Sequence, residues 1–385
     1  MFSLSDYRPT AAYIDFDALA DNYHSVKRFV GINVAYMAIV KADAYGHGAV
    51  PCSRRLESEG VDWFGVAIPE EGVELRRAGV ERPILCLGSF WPGQERPLVE
   101  NRLTPVIYDR RGANRLDNFA AEAGTTIDIH VKIDTGMGRV GVDHVDSADF
   151  AAFLKTLKGL KIDGLLTHFA SAENPAENEF TNTQIGRFEA ACAAFRGAGH
   201  DPEWIDMANS PGAIAHRASH GNMVRLGGAL YGLLDDILPS DIRQPELKPV
   251  LSLCSRIAHL RHVPSGTTLG YGRTFATETD SMIALVPIGY ADGYPRGLSN
   301  RGRAIVNGVF VPIVGRISMD WILLDVTNGL DAAIDDEVTL IGTDGRNTIK
   351  ASDLAHEIGT IGYEITCGIS PRVPRIYLGS RETSV

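Results

Sequence analysis

The chain has 385 residues, more than one hydrophobic core ordinarily accommodates, so the sequence predicts two domains. Its hydrophobic content of 44% and charged content of 22% are typical of a soluble globular protein. The net charge of −11 argues against a nucleic-acid partner, which would require a basic face. No apolar stretch reaches membrane-spanning length, and residues 1–9 lack the basic and apolar regions of a signal peptide. These features predict a cytoplasmic protein that contacts neither membranes nor nucleic acids.

The first two thirds of the chain predict an alternation of strands and helices. A strand over 11–16 and a helix over 17–30 come first. The β-rich runs that follow are 34–40, 63–66, 83–87, 105–108, 127–133, 162–167, 204–207 and 222–226. The helical stretches between them include 69–78, 110–123, 146–157 and 177–198. Such alternation implies parallel pairing with right-handed crossovers, and eight units predict a closed (β/α)8 TIM-type barrel.

The last third of the chain has a different pattern. Residues 234–250 contain three prolines and several charges, which predicts a linker. The strand-like runs beyond it are 251–261, 282–287, 303–306, 309–314, 321–326 and 337–341, and one helix is predicted near 351–358. Val-Asn-Gly-Val at 306–309 is a strong hairpin signal. The predicted α/β protein therefore has a barrel domain over 1–240 and a mostly β domain over 241–385, to which residues 1–16 contribute a strand.

Lys41 is the strongest candidate for chemistry. It ends the apolar run 34–40 and opens the segment Lys-Ala-Asp-Ala-Tyr-Gly-His-Gly. A lysine at the end of a buried strand, followed by a tyrosine and two glycines, is typical of a Schiff-base lysine beside an anion-binding loop. Burial lowers the pKa of such a lysine and frees its amine as a nucleophile. A lysine that extends from the strand end into solvent is the alternative, and this segment alone does not decide between them.

Other candidates follow the later barrel strands at the same end of the barrel. They are Arg139, His168, Asn209, Ser210, Arg225 and the pair Gly227-Gly228. Catalytic residues of this fold lie at strand C-termini, and phosphate commonly binds after strands 7 and 8. The Ser210 hydroxyl and the amides of Gly227 and Gly228 are therefore placed to hold a phosphate. A lysine nucleophile beside a phosphate site implies pyridoxal phosphate (PLP).

Each of these features also has a simpler interpretation. Gly-Met-Gly-Arg-Val-Gly at 136–141 formally matches a dinucleotide fingerprint, but it lies late in the strand–helix series. His168 alone fits a packed core histidine, and Gly227-Gly228 alone fits a turn. His144, His168 and His216 lack metal-site spacing, and five scattered cysteines indicate reduced thiols without structural zinc. Several coincidences on one face of one barrel favour the PLP interpretation without a metal.

Nine short segments spread along the chain match motifs of one enzyme family. They are 40–48, 132–141, 167–171, 208–210, 224–232, 270–272, 289–296, 315–320 and 372–375. In these segments the chain resembles the alanine racemase family, and the resemblance extends from Arg8 to the C-terminus. It implies interconversion of L-alanine and D-alanine through a PLP external aldimine, which would supply D-alanine for cell-wall peptidoglycan. It also implies a homodimer whose active sites are built from both subunits.

The resemblance implies two bases on opposite faces of the substrate Cα. Lys41, released from an internal aldimine, would serve the D-face, and Tyr271 of the second subunit would serve the L-face. Because the reference pKa of tyrosine is about 10, Tyr271 needs support, which His168 and then Arg225 would supply. Asp320 lies beside Met319 in the sequence and would have a supporting role there. Arg225 would also face the pyridine nitrogen, where a permanently protonated guanidinium keeps the electron sink weak.

The remaining implied roles concern the cofactor, the substrate and its access route. The cofactor would contact Lys41, Tyr45, Arg139, His168, Asn209, Ser210, Arg225, Gly227, Gly228 and Tyr363. Arg139 and Met319 would contact the substrate carboxylate. Lys132 matches a position that is often carbamylated, and Gly228 replaces a bulkier apolar residue, which predicts a looser phosphate cradle. Residues at matching positions would narrow the access corridor, so that only substrates with small side chains can enter. They are Glu173, Tyr290, Arg296, Arg316 and Ile361.

Three other functions remain open at this point. A broad-specificity or serine-preferring racemase of the same fold is the first, although such enzymes usually carry an export signal or a membrane segment. A fold-related PLP decarboxylase is the second, but it would have an acidic residue where this chain has Arg225. A non-catalytic, single-barrel PLP carrier is the third, and the second domain with Tyr271 counts against it.

Overall fold

Eight parallel strands close into a barrel in the first part of the chain. The computed structural model describes residues 8–327 and 330–379. In chain order, the elements of this part are β1 (Ala11–Asp15), α1 (Phe16–Val30), β2 (Ala35–Ile39), α2 (Lys41–Gly46), α3 (Ala49–Ser58), β3 (Trp63–Val66), α4 (Pro69–Arg77), β4 (Ile84–Cys86), α5 (Glu95–Glu100), β5 (Leu103–Ile107), α6 (Arg110–Ala123), β6 (Ile127–Asp134), β7 (Val142–Asp143), α7 (Ser147–Leu154), β8 (Leu160–Leu166), α8 (Asn178–Gly197), β9 (Trp204–Asp206), α9 (Ser210–Ala215) and β10 (Met223–Leu226). Neighbouring strands follow the order β5-β4-β3-β2-β10-β9-β8-β6, and β5 pairs with β6 to close the ring. The predicted (β/α)8 barrel is confirmed.

The sequence of the barrel elements explains their bounds. Strands β3, β4 and β10 are buried along their whole length, as expected for parallel strands covered on both faces. Helix α6 begins where the Asp109 carboxylate accepts a hydrogen bond from the Gly112 amide, and it ends at Gly124 with φ 63°. Its bounds equal the predicted 110–123. Helix α7 is shorter than the predicted 146–157, because the chain tightens into a turn in which the Thr156 amide donates to the Phe153 carbonyl.

The second part of the chain is mostly β structure. Its elements are β11 (Leu251–Arg256), β12 (His259–Val263), β13 (Thr268–Leu269), β14 (Phe275–Ala276), β15 (Ser281–Val286), β16 (Arg303–Val306), β17 (Val309–Pro312), β18 (Ile322–Asp325), β19 (Glu337–Asp344), β20 (Asn347–Ile349), α10 (Ala351–Ile358), α11 (Gly362–Gly368) and β21 (Arg375–Leu378). The main sheet has the order β17-β16-β19-β11-β1-β21, with β20 beside β19, and β12-β15-β18 form a second sheet. The predicted C-terminal β fold is confirmed.

The N-terminal strand belongs to the sheet of the second part. Strand β1 lies antiparallel to β11 and parallel to β21, and the Arg8 guanidinium forms an ion pair with the buried Asp292 carboxylate. Residues 1–7 of the predicted strand region, and 380–385 of the predicted second domain, lie outside the described residues. Residues 234–250 contain neither helix nor strand, in agreement with the predicted linker.

Two predictions for the second part were wrong in detail. The run 251–261 is two strands in different sheets, because the chain changes sheet at Ile257, whose amide donates to the Asp336 carbonyl. Helix α11 was not predicted, because its seven residues include glycines at both ends and two β-branched residues, all weak helix formers. The Val306–Val309 hairpin is confirmed, with Asn307 at φ 49° and Gly308 at φ 74°, as a type I′ turn requires.

The segment that carries Lys41 is a turn of left-handed helix. Four consecutive non-glycine residues, 42–45, have φ between 52° and 55°. Each such residue costs roughly 1–2 kcal/mol relative to a right-handed turn, so the surrounding structure must hold the turn in place. The Ala42 amide donates to Glu71 at 2.7 Å, and the Ala49 amide donates to Asp43 at 2.7 Å. Strained backbone of this kind is concentrated at functional sites, so we expect this loop to carry a functional residue.

We expect the packing of this turn against α11 to be essential for its conformation. A Cβ at Gly46 would lie 2.1 Å from the Thr366 carbonyl oxygen, whereas a Cβ at Gly60, which has the same φ of 84°, would meet nothing within 4 Å. Gly46→Ala should therefore lower the free energy of unfolding by about 3 kcal/mol, and Gly60→Ala by about 1 kcal/mol. Urea unfolding of the two variants measures the difference. Equal losses would contradict the packing argument.

Candidate active site

Most of the candidate residues of the barrel lie around one cavity. It occupies about 680 Å³ at the C-terminal end of the barrel strands. The predicted site residues that line it are Lys41, Tyr45, Lys132, Arg139, His168, Glu173, Asn209, Ser210, Arg225, Gly227, Gly228 and Tyr363. Tyr363 reaches the cavity from α11, which contacts the left-handed turn. The same cavity thus receives side chains from both parts of the chain.

Four cationic side chains share this cavity, and they alter the pKa of one another. Burial, and then the nearby Arg139 guanidinium, lower the pKa of Lys41, while Glu71 and Cys367 oppose that shift. Burial also lowers the pKa of Lys132, to about 8, with Arg225, Arg139 and Lys41 acting in the same direction. Both lysine amines are therefore uncharged more often than an exposed lysine would be.

His168 is neutral and its hydrogen can be assigned. Burial holds the pKa of His168 well below its usual value, and the Arg225 guanidinium adds to the effect. The Arg225 Nη2 atom lies 3.3 Å from the His168 Nδ1 atom. Because a guanidinium only donates, Nδ1 is the acceptor, and we assign the hydrogen to Nε2. His168 can consequently donate one hydrogen bond from Nε2.

Arg225 is held from behind by a residue that the sequence analysis did not identify. Its Nη1 atom lies 2.5 Å from the Asp206 Oδ1 atom, and its Nη2 atom donates to the Thr167 and Met207 carbonyls at 2.8 and 3.1 Å. Burial raises the pKa of the fully buried Asp206 carboxyl, and the guanidinium acts in the opposite direction. An acidic residue inside the apolar run 204–207 was the only sequence signal for it.

Hydroxyl groups converge on the two glycines that follow β10. The Ser210 Oγ atom accepts a hydrogen bond from the Gly227 amide at 2.8 Å. A Cβ at Gly227 would lie 2.6 Å from the Tyr45 hydroxyl, and a Cβ at Gly228 would lie 2.1 Å from the Tyr363 hydroxyl. Tyr363 thus fills the space beside Gly228. Three hydroxyl groups thus lie beside two backbone positions at which only glycine fits. Such an arrangement is suited to an anionic group such as a phosphate.

The three-glycine loop that resembled a dinucleotide site surrounds a carboxylate instead. The amides of Gly136, Gly138 and Arg139 donate to Asp134 at 2.9, 3.2 and 3.1 Å. Burial acts to raise the pKa of Asp134, but these amides outweigh it and the pKa is lowered. A carboxylate in this position would repel a pyrophosphate, so the dinucleotide alternative is wrong. The loop instead fixes the backbone of Arg139 at the edge of the cavity.

Apart from Tyr363, the predicted site residues of the second part do not line this cavity. They are Tyr271, Tyr290, Arg296, Arg316, Met319, Asp320 and Ile361. The Tyr271 side chain is 71% exposed and the Met319 side chain 52% exposed. The Tyr290 amide donates to the Ser318 carbonyl at 3.0 Å, so two of these loops are joined. Asp320 accepts a hydrogen bond from Arg372 at 2.8 Å.

The matched family descriptions cover nearly the whole chain. Residues 14–235 match "Alanine racemase, N-terminal domain", and residues 250–377 match "Alanine racemase, C-terminal domain". The chain belongs to the alanine racemase family. The alanine racemase of Geobacter sulfurreducens is 44% identical to it over 378 residues, which are 97% of this chain and 98% of that one.

Solved alanine racemase structures have the same fold. That of Clostridium difficile 630 has a TM-score of 0.91 and 34% identity, with 96% of both chains covered. That of Bartonella henselae, solved with covalently bound pyridoxal phosphate, has a TM-score of 0.86 and 28% identity, with 96% of this chain and 99% of that one covered. Within residues 8–327 and 330–379, no helix combines the length and apolar character of a membrane span, and no cluster of His, Cys, Asp or Glu is arranged to hold a metal.

Proposed function

We propose that this chain interconverts L-alanine and D-alanine with PLP as its cofactor. One observation carries the proposal: in a member of this family, a lysine of lowered pKa and a cradle of three hydroxyls face one cavity. Bound PLP would supply the electron sink that stabilises the deprotonated substrate carbon. The residues of the chain would supply binding, orientation and proton transfer.

The phosphate would bind where the hydroxyls converge. Tyr45, Ser210 and Tyr363 would donate to it, together with the Gly228 amide. The Gly227 amide, which donates to the Ser210 Oγ atom at 2.8 Å, would orient that hydroxyl toward the phosphate. The Asn209 side chain accepts a hydrogen bond from the Gly212 amide at 3.0 Å, which fixes the turn that presents Ser210. Asn209 would therefore act on the cofactor mainly through Ser210.

Lys41 would hold the cofactor covalently and later exchange a proton with the D-face of the substrate carbon. A lowered pKa suits both tasks, because the amine must be uncharged to attack the cofactor and to accept a proton. Glu71, which accepts a hydrogen bond from the Ala42 amide beside Lys41, would limit the shift. The left-handed turn would then set the direction of the amine.

Arg225 and His168 would orient the reaction from the barrel. Arg225 would donate to the ring nitrogen of the cofactor without transferring a proton, since a guanidinium stays charged. His168, neutral and with its hydrogen on Nε2, would donate to the phenolic oxygen of Tyr271 from a second subunit. That hydrogen bond would stabilise a deprotonated Tyr271, which could then exchange a proton with the L-face.

Arg139 would bind the substrate carboxylate, and Lys132 would carry a carbamate. A carbamate forms from an uncharged amine, and a pKa of about 8 leaves roughly a tenth of Lys132 uncharged at pH 7. The modification would replace one of four crowded cations by an anion. It would thereby reduce the repulsion among Lys41, Arg139 and Arg225 and brace Arg139.

Two subunits would complete each site. Tyr271 and Met319 are exposed in this chain, and Arg316 packs beside the loop that carries Tyr271, since a Cβ at Gly272 would lie 3.5 Å from its Cζ atom. A partner subunit would bring these residues, with Tyr290 and Ile361, to the mouth of the cavity. Arg296 and Glu173 would complete the access corridor, and Asp320 would support Met319. The domain boundary would lie near residue 240, between the two matched segments.

The cellular role follows from the proposed reaction. D-alanine made in the cytoplasm would serve peptidoglycan synthesis. The alternative, a broad-specificity or serine-preferring racemase, is not favoured, since the similar curated proteins are alanine racemases.

A substrate panel with added PLP tests the proposed activity directly. From L-alanine alone, chiral analysis should show conversion to equal amounts of both enantiomers, because enantiomers have equal free energies. Larger substrates should react more slowly, and Lys41→Ala should show no conversion. Faster conversion of serine or of a larger amino acid, or no conversion by protein that has bound PLP, would contradict the proposal.

Mixing two inactive variants tests whether the site is shared. Lys41→Ala and Tyr271→Phe should each be inactive, because each removes one base. When subunits exchange, a heterodimer contains one site with both bases intact, so part of the activity should return. The controls are each variant mixed with itself. Absence of recovery, with heterodimers demonstrated by differential tags, would place both bases on one chain.

A further inference from the structure

A fully buried carboxylate, that of Asp206, pairs with Arg225 behind the cavity. Asp206 is 0% exposed, whereas Arg225 is 3% exposed and lines the cavity. A buried carboxylate is costly unless it is paired, and the Arg225 Nη1 atom lies only 2.5 Å away. Asp206 therefore forms an ion pair with the guanidinium on the side that faces away from the cavity.

The strand register fixes this pairing. Asp206 ends β9, where it lies between Leu166 of β8 and Met223 of β10. Arg225 is two residues beyond Met223, so its side chain points to the same face of β10. Both side chains therefore point into the barrel from neighbouring strands, and they lie close enough to form an ion pair. Among the described residues, His130 and Lys132 of β6 also act on Asp206, and both lower its pKa.

The contacts of the guanidinium leave one nitrogen for the cavity. Nη1 is occupied by Asp206, and Nη2 by the carbonyls of Thr167 and Met207 and by His168. Within the described residues, Nε makes no hydrogen bond. The residues on the side of Arg225 that faces away from the cavity therefore bind both terminal nitrogens, Nη1 and Nη2. These contacts orient the remaining Nε–H group.

We propose that Asp206 is a positioning residue for the cofactor: its carboxylate anchors the Arg225 guanidinium, so that this cation meets the cofactor ring in one orientation and with part of its charge offset. The inference rests on the proposed function, since it concerns the same cavity. Asp206 does not line the cavity, so it would itself touch neither cofactor nor substrate.

A double-mutant cycle tests the inference through cofactor binding. Asp206→Asn keeps the size of the side chain and removes its charge. It should weaken PLP binding to the apo protein by about tenfold and shift the visible absorption band of the bound cofactor. In an Arg225→Gln background, the same substitution should change the PLP dissociation constant by less than about twofold. Asp206→Glu, which keeps the charge, should restore part of the binding.

Asp163→Asn is the matched control. Asp163 is a largely buried carboxylate on β8 that pairs with His130 and Lys161 rather than with Arg225. Its loss should leave PLP binding within about twofold of the unmodified protein. An equal effect of Asp206→Asn in both backgrounds, or none in the unmodified background, would overturn the inference. Failure of the protein to bind PLP at all would overturn the inference and the proposed function together. If the effects of Asp206→Asn and Arg225→Gln on PLP binding are coupled but the unmodified protein does not racemise alanine, the proposed function would be overturned and the inference supported.

Discussion

The concentration of four cations at one end of the barrel is the constraint on which the rest of the site depends. Lys41, Lys132, Arg139 and Arg225 line one cavity, and burial together with mutual repulsion lowers the pKa of both lysines. Such a cavity favours ligands with several negative groups, and a phosphorylated cofactor with an amino-acid substrate supplies them. Burial, with this repulsion added to it, makes an uncharged amine available, so the same cavity both attracts anions and favours a nucleophilic amine.

The fold holds the residues of this cavity rigidly in place. The barrel places Lys132, His168 and Arg225 at the ends of β6, β8 and β10, and the Asp206 carboxylate of β9 pairs with Arg225. The left-handed turn after β2 stores backbone strain that its hydrogen bonds and α11 counteract. Because α11 belongs to the second part of the chain, the two parts must be assembled before the segment that carries Lys41 is fixed.

The sequence predicted the elements that depend on local pattern. All eight barrel strands, α6 and the Val306–Val309 hairpin follow from alternation, capping and turn residues. It did not predict the left-handed turn, because nothing local in Ala-Asp-Ala-Tyr signals positive φ. It also missed Asp206, whose partner is set by the register of β9 against β10 and not by any motif. The exposure of Tyr271 likewise depends on tertiary placement.

The central claim is that Lys41, and not the more deeply buried Lys132, presents the reactive amine to the cofactor. Borohydride reduction of the PLP-loaded protein, followed by peptide mass mapping, tests it directly. The account predicts one stable adduct per chain on the peptide that contains Lys41, and none on the peptide that contains Lys132. An adduct on Lys132, or retention of a single adduct after Lys41→Ala, would contradict it.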